Sequence, residues 1–412
     1  MNRVEGSIVT TGESAPLRSS TASIYSEQIS AATTSVLSAR FGRRLRSVVL
    51  TGSLARNEAT WHRLGNRVRL TGDAEFLLVF DRRRSIPSNA EIASAQDYIQ
   101  QLLLDNGIEV KIDLGAITPR FFEQLQPHIF AYELQVYGKT IWGEEIRVLA
   151  PTFTAAEISL EDGFRILMNR IVELLESLAE ATTLRPLPQS VRHRSTKLCL
   201  DMVTSLLVFL GSYEPSYAKR LRSISRGFIG PDELSVLRPR LLQRTIMATR
   251  WKLGEDHREP IVTLRELNDL IGDVHLLWQW ELRVLNGDTP SPDNNDTLID
   301  TWCSREHRFD WLRSWASTVR RCRPAEFFTS FPRWIQIAHR GSPRRLIYVA
   351  ASQLFLAAPE VLSGGVNYDS TRWQHLAAGL PYPGPLEHIR TWEAAAAAAT
   401  RNYHRFLEDT RA

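Results

Sequence analysis

Two carboxylates one residue apart, Asp73 and Glu75, lead directly into the apolar run Phe76-Leu77-Leu78-Val79-Phe80. The run reads as a strand. Side chains alternate between the faces of a strand, so the two acids fall on the same side. Like charges so placed repel, and a cation between them relieves the repulsion. A pair of hard oxygen ligands suits Mg²⁺, which takes one or two carboxylates and completes its shell with water and substrate phosphates. Upstream, Val48-Val49-Leu50 reads as a second strand. It ends in the small-residue turn Thr51-Gly52-Ser53, and Arg56 and Glu58 follow. Downstream, Glu109-Val110-Lys111-Ile112-Asp113-Leu114 reads as a third strand, with Val110, Ile112 and Leu114 on one face and Glu109, Lys111 and Asp113 on the other. Neighbouring strands of this kind bring Asp73, Glu75 and Asp113 to one edge. Two-metal phosphoryl transfer needs such an arrangement, with ions ~4 Å apart clamping the attacking and leaving oxygens.

Gly52-Ser53, Asp73-x-Glu75 and the later Asp113 together resemble the DNA polymerase β-like nucleotidyltransferase superfamily. In motif they are most similar to its small-molecule (aminoglycoside-type) adenylyltransferases, in which Gly-Ser-x-Ala-Arg-Gly is common. The likeness covers roughly Val48 to Gly143. Two departures stand out: Asn57 occupies the usual glycine position, and the spacer to Asp73 is long. The extra piece, Thr60 to Thr71, reads as a hairpin around Gly65-Asn66.

The resemblance implies an α+β fold, with a mixed-sheet catalytic domain followed by an all-helical C-terminal region. It implies transfer of a nucleoside monophosphate from a nucleoside triphosphate such as ATP to an acceptor hydroxyl, with release of pyrophosphate. Two Mg²⁺ ions (Mn²⁺ as the alternative) would be held by Asp73 and Glu75. Asp113 would ligate the catalytic ion and accept the proton of the acceptor. Gly52 and Ser53 would lie against the phosphates, while Arg56 would either neutralise phosphate charge or pair with Glu58. Lys197, Ser216 and Tyr217 would contact the triphosphate from the helical region. The expected partners are a nucleoside triphosphate and an unknown hydroxyl-bearing acceptor, a small molecule being favoured over nucleic acid. An RNA-tailing or cyclic-oligonucleotide-forming polymerase, and a non-catalytic nucleotide-binding regulator, stay open as alternatives.

The 412 residues suggest two or three domains, and 43% hydrophobic content supports real cores. The expected division is a flexible N-terminus to residue 22, a catalytic domain over 23–150, a helical nucleotide- and acceptor-binding domain over 151–290, and a further helical region over 291–412. A net charge of +4 fits phosphate handling without demanding nucleic acid. Cys199, Cys303 and Cys322 show no metal-ligand spacing and point to a reduced, cytoplasmic setting. No apolar leader and no bilayer-spanning run is read, and no membrane partner is expected. Walker A, His-Glu-x-x-His and dinucleotide fingerprints are absent.

Helices are expected over residues 22–40, 88–106, 119–137, 157–181, 190–211, 231–250, 262–285 and 297–321. Lys197 and Asp201 would share a helix face. The tryptophans from Trp278 to Trp315 read as core, and the arginine-rich stretch Arg305 to Arg345 reads first as a solvated face.

Overall fold

The computed structural model describes residues 15–16, 19–181, 184–226, 232–256, 258–287, 294–364, 370–382 and 384–410. The fold is α+β and divides into two compact units. The first comprises Met1–Ile158 together with Pro215–Lys219 and Thr249–His257; the second holds the remainder to Ala412. The continuous part of the first unit runs to Ile158, and residues 291–412 fall in the same unit as most of 159–290.

The first unit is built on strands β1 (Ala15–Pro16), β2 (Leu45–Leu50), β3 (Thr60–Leu64), β4 (Arg67–Phe80), β5 (Ile108–Ile117) and β6 (Lys139–Gly143). Their order is β1-β3-β4-β2-β6, with β5 on the other side of β4. Only the β4–β5 pair is parallel, so the sheet is mixed. The parallel pair needs a crossover, and α3 (Asn89–Asp105) supplies it between β4 and β5. Ser88 and Glu91 start α3 with a capping box. Helix α1 (Ser19–Phe41) precedes β2 and begins before the expected Ala22.

One face of the sheet packs Val48, Leu50, Ala74, Phe76, Leu78, Ile112 and Leu114 into a core with Ile29 and Leu37 of α1 and Ile92, Ala95 and Ile99 of α3. That alternation fixes Asp73, Glu75, Lys111 and Asp113 on the opposite face. The long spacer is a hairpin as expected: Leu64 pairs with Arg67 across Gly65-Asn66, and Gly65 is left-handed at φ +62°.

The short helix α2 (Gly52–Ala55) follows β2, and α4 (Pro119–Glu123) and α5 (Ile129–Tyr137) follow β5. A single helix over 119–137 is thus replaced by two. The break falls around Pro127, and His128 caps the second helix by accepting from the Ala131 amide at 3.0 Å.

The second unit is helical. Its elements are α6 (Leu160–Glu180), α7 (Gln189–Phe209), α8 (Tyr217–Ser225), α9 (Arg238–Lys252), α10 (Leu264–Leu285), α11 (Asn295–Ser304), α12 (Arg308–Arg321), α13 (Pro324–Ile337), α14 (Pro343–Leu362), α15 (Ser370–Ala378) and α16 (Trp392–Thr410). The first three residues of α8 and the last four of α9 belong to the sheet unit. The helix expected over 297–321 is interrupted before α12, where His307 accepts from the Phe309 amide as a cap. Residues 287–295, rich in Pro, Asp and Asn and so read as a loop and a candidate boundary, lie mostly outside the described residues. Trp278, Trp280, Trp302 and Trp315 are buried, as read from the sequence, while Trp311 is half-buried. Helix α14 has the length and hydropathy of a bilayer span, which the sequence reading did not foresee; 56% of that window is buried inside the protein.

Candidate active site

The site is assembled from the C-terminal end of β2 and the middles of β4 and β5. In parallel register Glu75 lies beside Asp113, and Asp73 lies beside Lys111. Between Arg69 and Asp73 the register slips, so that β4 carries two more residues than β5. Such a bulge re-aims the strand just before its acidic pair. All three acids read from the sequence therefore share one face of the sheet.

Their surroundings differ. Asp73 accepts a hydrogen bond from Lys111 Nζ at 2.9 Å, and both groups are substantially exposed. Asp113 is exposed and, among the described residues, its carboxylate makes no hydrogen bond or ion pair. Glu75 is mostly shielded, and burial holds its carboxyl above the usual range. The Arg56 guanidinium pulls it back down, while Glu133, Asp113 and Asp73 push it up further. Glu75 thus carries a surplus of negative neighbours.

Gly52 explains how the turn meets this carboxylate. Its φ is +68°, and a Cβ added there would fall 2.7–2.9 Å from the Glu75 carboxyl atoms. Only glycine permits that approach. The turn is clipped to the same residue, since the Thr51 amide donates to the Glu75 carbonyl at 2.9 Å. Among the described residues the Ser53 hydroxyl makes no hydrogen bond. Asn57, at the usual glycine position, adopts φ +57°, a conformation asparagine tolerates better than most residues.

Arg56 is buried. It donates to Glu133 at 2.6 Å and lies 3.7 Å from Glu58. Of the two roles read for it, pairing with Glu58 is present, and Glu133 is the closer partner. Glu58, also buried, accepts from Ser216 Oγ at 2.6 Å, from the Tyr217 amide at 3.0 Å and from the Ala218 amide at 3.2 Å. A carboxylate on the first amides of a helix satisfies donors that have no partner inside the helix. Ser216 and Tyr217 are thereby tied to the sheet unit, with the Ser216 hydroxyl already engaged. The Tyr217 ring receives Arg56 at 5.8 Å and Lys252 Nζ at 5.9 Å. Lys219 Nζ lies 5.5 Å from the Tyr137 ring.

Lys197 belongs to the helical unit. Burial lowers the pKa of its ammonium and Arg170 lowers it further, Glu173 and Asp201 pull it back up, and Arg194 again lowers it. Asp201, the expected partner, accepts from Arg170 instead.

Sequence reasoning missed Glu133, Lys219 and Lys252. Lys219 was legible in principle, three residues beyond Ser216. Lys252 and Glu133 reach the site through tertiary contacts that no local pattern announces.

The donor set fits a hard divalent cation in its chemistry: three carboxylates on one face, one of them crowded by negative charge. Among the described residues no three Asp, Glu, His or Cys side chains converge on a single point, and Lys111 holds Asp73.

No protein-family model matches the sequence, and no curated protein does. Among solved structures, the chain is similar to spectinomycin adenyltransferase AAD(9) from Enterococcus faecialis, a structure with ATP and spectinomycin. The two are 16% identical; the alignment covers 62% of this chain and 98% of that one, with a TM-score of 0.36. A likeness at that TM-score carries no argument about the site.

Proposed function

We propose that the protein is a metal-dependent nucleotidyltransferase. It moves a nucleoside monophosphate from a nucleoside triphosphate to the hydroxyl of a small molecule and releases pyrophosphate. The observation that carries this reading is the apposition of the Gly52 turn to Glu75 on the sheet face that also bears Asp73 and Asp113.

Asp73, Glu75 and Asp113 would hold Mg²⁺ or Mn²⁺, Asp73 exchanging Lys111 for the metal. When bound, the metal neutralises the triphosphate and the charge that develops at phosphorus. The chain's own groups do the rest. Gly52 admits a phosphate close to the backbone, and the Ser53 hydroxyl donates to it. Asp113, the acid without a partner among the described residues, accepts the proton of the acceptor hydroxyl. Lys219 and Lys252, both in the sheet unit, supply positive charge to the triphosphate. Arg56 and Glu58 act through position: the pair holds Tyr217 and the first turn of α8.

The test is incubation of the purified protein with each labelled triphosphate, Mg²⁺ and a panel of hydroxylated small molecules, read by mass analysis of labelled products. A monophosphate adduct of a small molecule, lost in Asp73→Ala and Glu75→Ala, supports the reading. A labelled RNA tail or a cyclic oligonucleotide moves the protein to another branch of the same chemistry. Tight binding with no product makes it a nucleotide sensor.

A further inference from the structure

The helices α12 and α13 carry an apolar surface that the proposed reaction does not use. On α13, Phe328, Phe331 and Ile335 follow the i, i+3, i+7 spacing of one helix face and are 78%, 40% and 64% exposed. On α12, Phe309, Leu312 and Val319 are exposed at 76%, 57% and 38%. They fall with the exposed Ala316 into a single i, i+3, i+7, i+10 stripe.

Neither helix lacks a core of its own. Trp311 and Trp315 of α12 and Phe327, Trp334 and Ile337 of α13 already form a cluster with Leu346. The indole nitrogens of that cluster are satisfied by backbone carbonyls at Ala338, Gly341 and Pro381. Each outer stripe is therefore apolar surface beyond the packed side of its helix.

Charge identifies what covers it. Between Arg305 and Arg345 the sequence holds ten arginines against three carboxylates. Arg308, Arg313, Arg320 and Arg323 are exposed and, among the described residues, their guanidinium groups make no ion pair or hydrogen bond. Arg313 and Arg320 stand four residues beyond Phe309 and Ala316, so they border the α12 stripe one turn on. Exposed aromatic and aliphatic side chains edged by unpaired cations are the composition of a helix lying in the interface of an anionic bilayer. A single-stranded nucleic acid would match the arginines and the phenylalanines, but it gains nothing from Leu312, Val319 and Ile335, which offer no stacking face. A second copy meeting this face through its own would bring together two patches of the same positive charge.

We infer that α12 and α13 dock the protein on anionic phospholipid membranes, with Phe309, Leu312, Phe328, Phe331 and Ile335 entering the interface and Arg308, Arg313, Arg320 and Arg323 meeting the headgroups. This departs from the expectation that no membrane partner exists. It is independent of the nucleotidyl-transfer reading, because binding is measured without nucleotide.

The experiment is co-sedimentation of the full chain with vesicles of phosphatidylcholine alone or of phosphatidylcholine with one quarter phosphatidylglycerol, at low and high salt. Binding is expected to the anionic vesicles and to weaken with salt. The Phe328→Ser/Ile335→Ser variant should lose it, while each of Arg313→Gln and Arg320→Gln should weaken it about fivefold. Near-ultraviolet circular dichroism reports whether the double variant folds, and Phe309→Ser on the other helix gives the same reading if it does not. Absence of binding by the folded wild type overturns the inference, as does binding that the stripe variants leave unchanged. Concentration-dependent self-association lost in the same variants would assign the face to a second copy, and retention on single-stranded RNA lost in them would assign it to nucleic acid. Either result overturns it.

Discussion

Gly52 is where the turn and the acidic strand meet, and substitution there has two separable costs. Alanine would hold a left-handed φ of +68° and would place its methyl group 2.7–2.9 Å from the Glu75 carboxyl atoms. The backbone term alone is ~1–2 kcal/mol. Relief of the clash displaces the Glu75 carboxyl group from its place against the turn. Gly52→Ala is therefore expected to lose about 1–3 kcal/mol in urea unfolding and nearly all transferase activity; a variant with wild-type turnover would exclude the turn from the site. Asp113 behaves differently because its carboxylate lacks partners among the described residues. Asp113→Asn keeps the shape and removes the charge that would accept a proton. Nucleotide binding with Mg²⁺, measured by calorimetry, is expected to survive while the rate falls by orders of magnitude. Parallel loss of affinity and rate would make Asp113 an ordinary ligand.

At the scale of elements, the junction between Glu58 and the first turn of α8 is the contact that local sequence announces least. Glu58 is buried and accepts from one hydroxyl and two amides. Glu58→Ala leaves those donors without this acceptor and Arg56 without one of its carboxylates. The expected cost is ~2–4 kcal/mol, accompanied by faster hydrogen exchange at the Tyr217 and Ala218 amides; unchanged protection at those amides would show that the turn is held by other contacts. The strands, by contrast, were legible. Alternation placed Asp73, Glu75 and Asp113 on one face, and Gly65-Asn66 marked the hairpin, because both signals are local and periodic. Helix breaks at Pro127 and His307 were overridden by the surrounding apolar periodicity. The partners of Glu58, and the replacement of Lys197 by Arg170 beside Asp201, come from segments far apart in the chain, where no single-sequence pattern reaches.

At the scale of the whole molecule, one buried acid couples stability to pH. Glu281 of α10 is fully buried, and among the described residues neither carboxyl oxygen has a hydrogen-bond partner. Burial pushes its pKa up to about 8, and nearby Ser205 pulls it back without completing a hydrogen bond. In the unfolded chain the same group titrates near ~4.3. Between those two values the folded protein keeps a proton that the unfolded chain releases. Stability must then fall as pH rises through that window and level off above about 8, while below the unfolded pKa the group makes no difference. One proton corresponds to a slope of at most ~1.4 kcal/mol per pH unit. Glu281→Gln keeps the shape and stays neutral, so it should remove that slope and leave the variant more stable than the wild type at neutral and alkaline pH. Urea unfolding followed by tryptophan fluorescence at stepped pH reads the difference directly, since Trp278 and Trp280 flank the site on the same helix. Wild-type and variant curves that stay parallel from about pH 4 to 9, the span bracketing the two pKa values, would mean that Glu281 ionises inside the folded protein at its ordinary pKa.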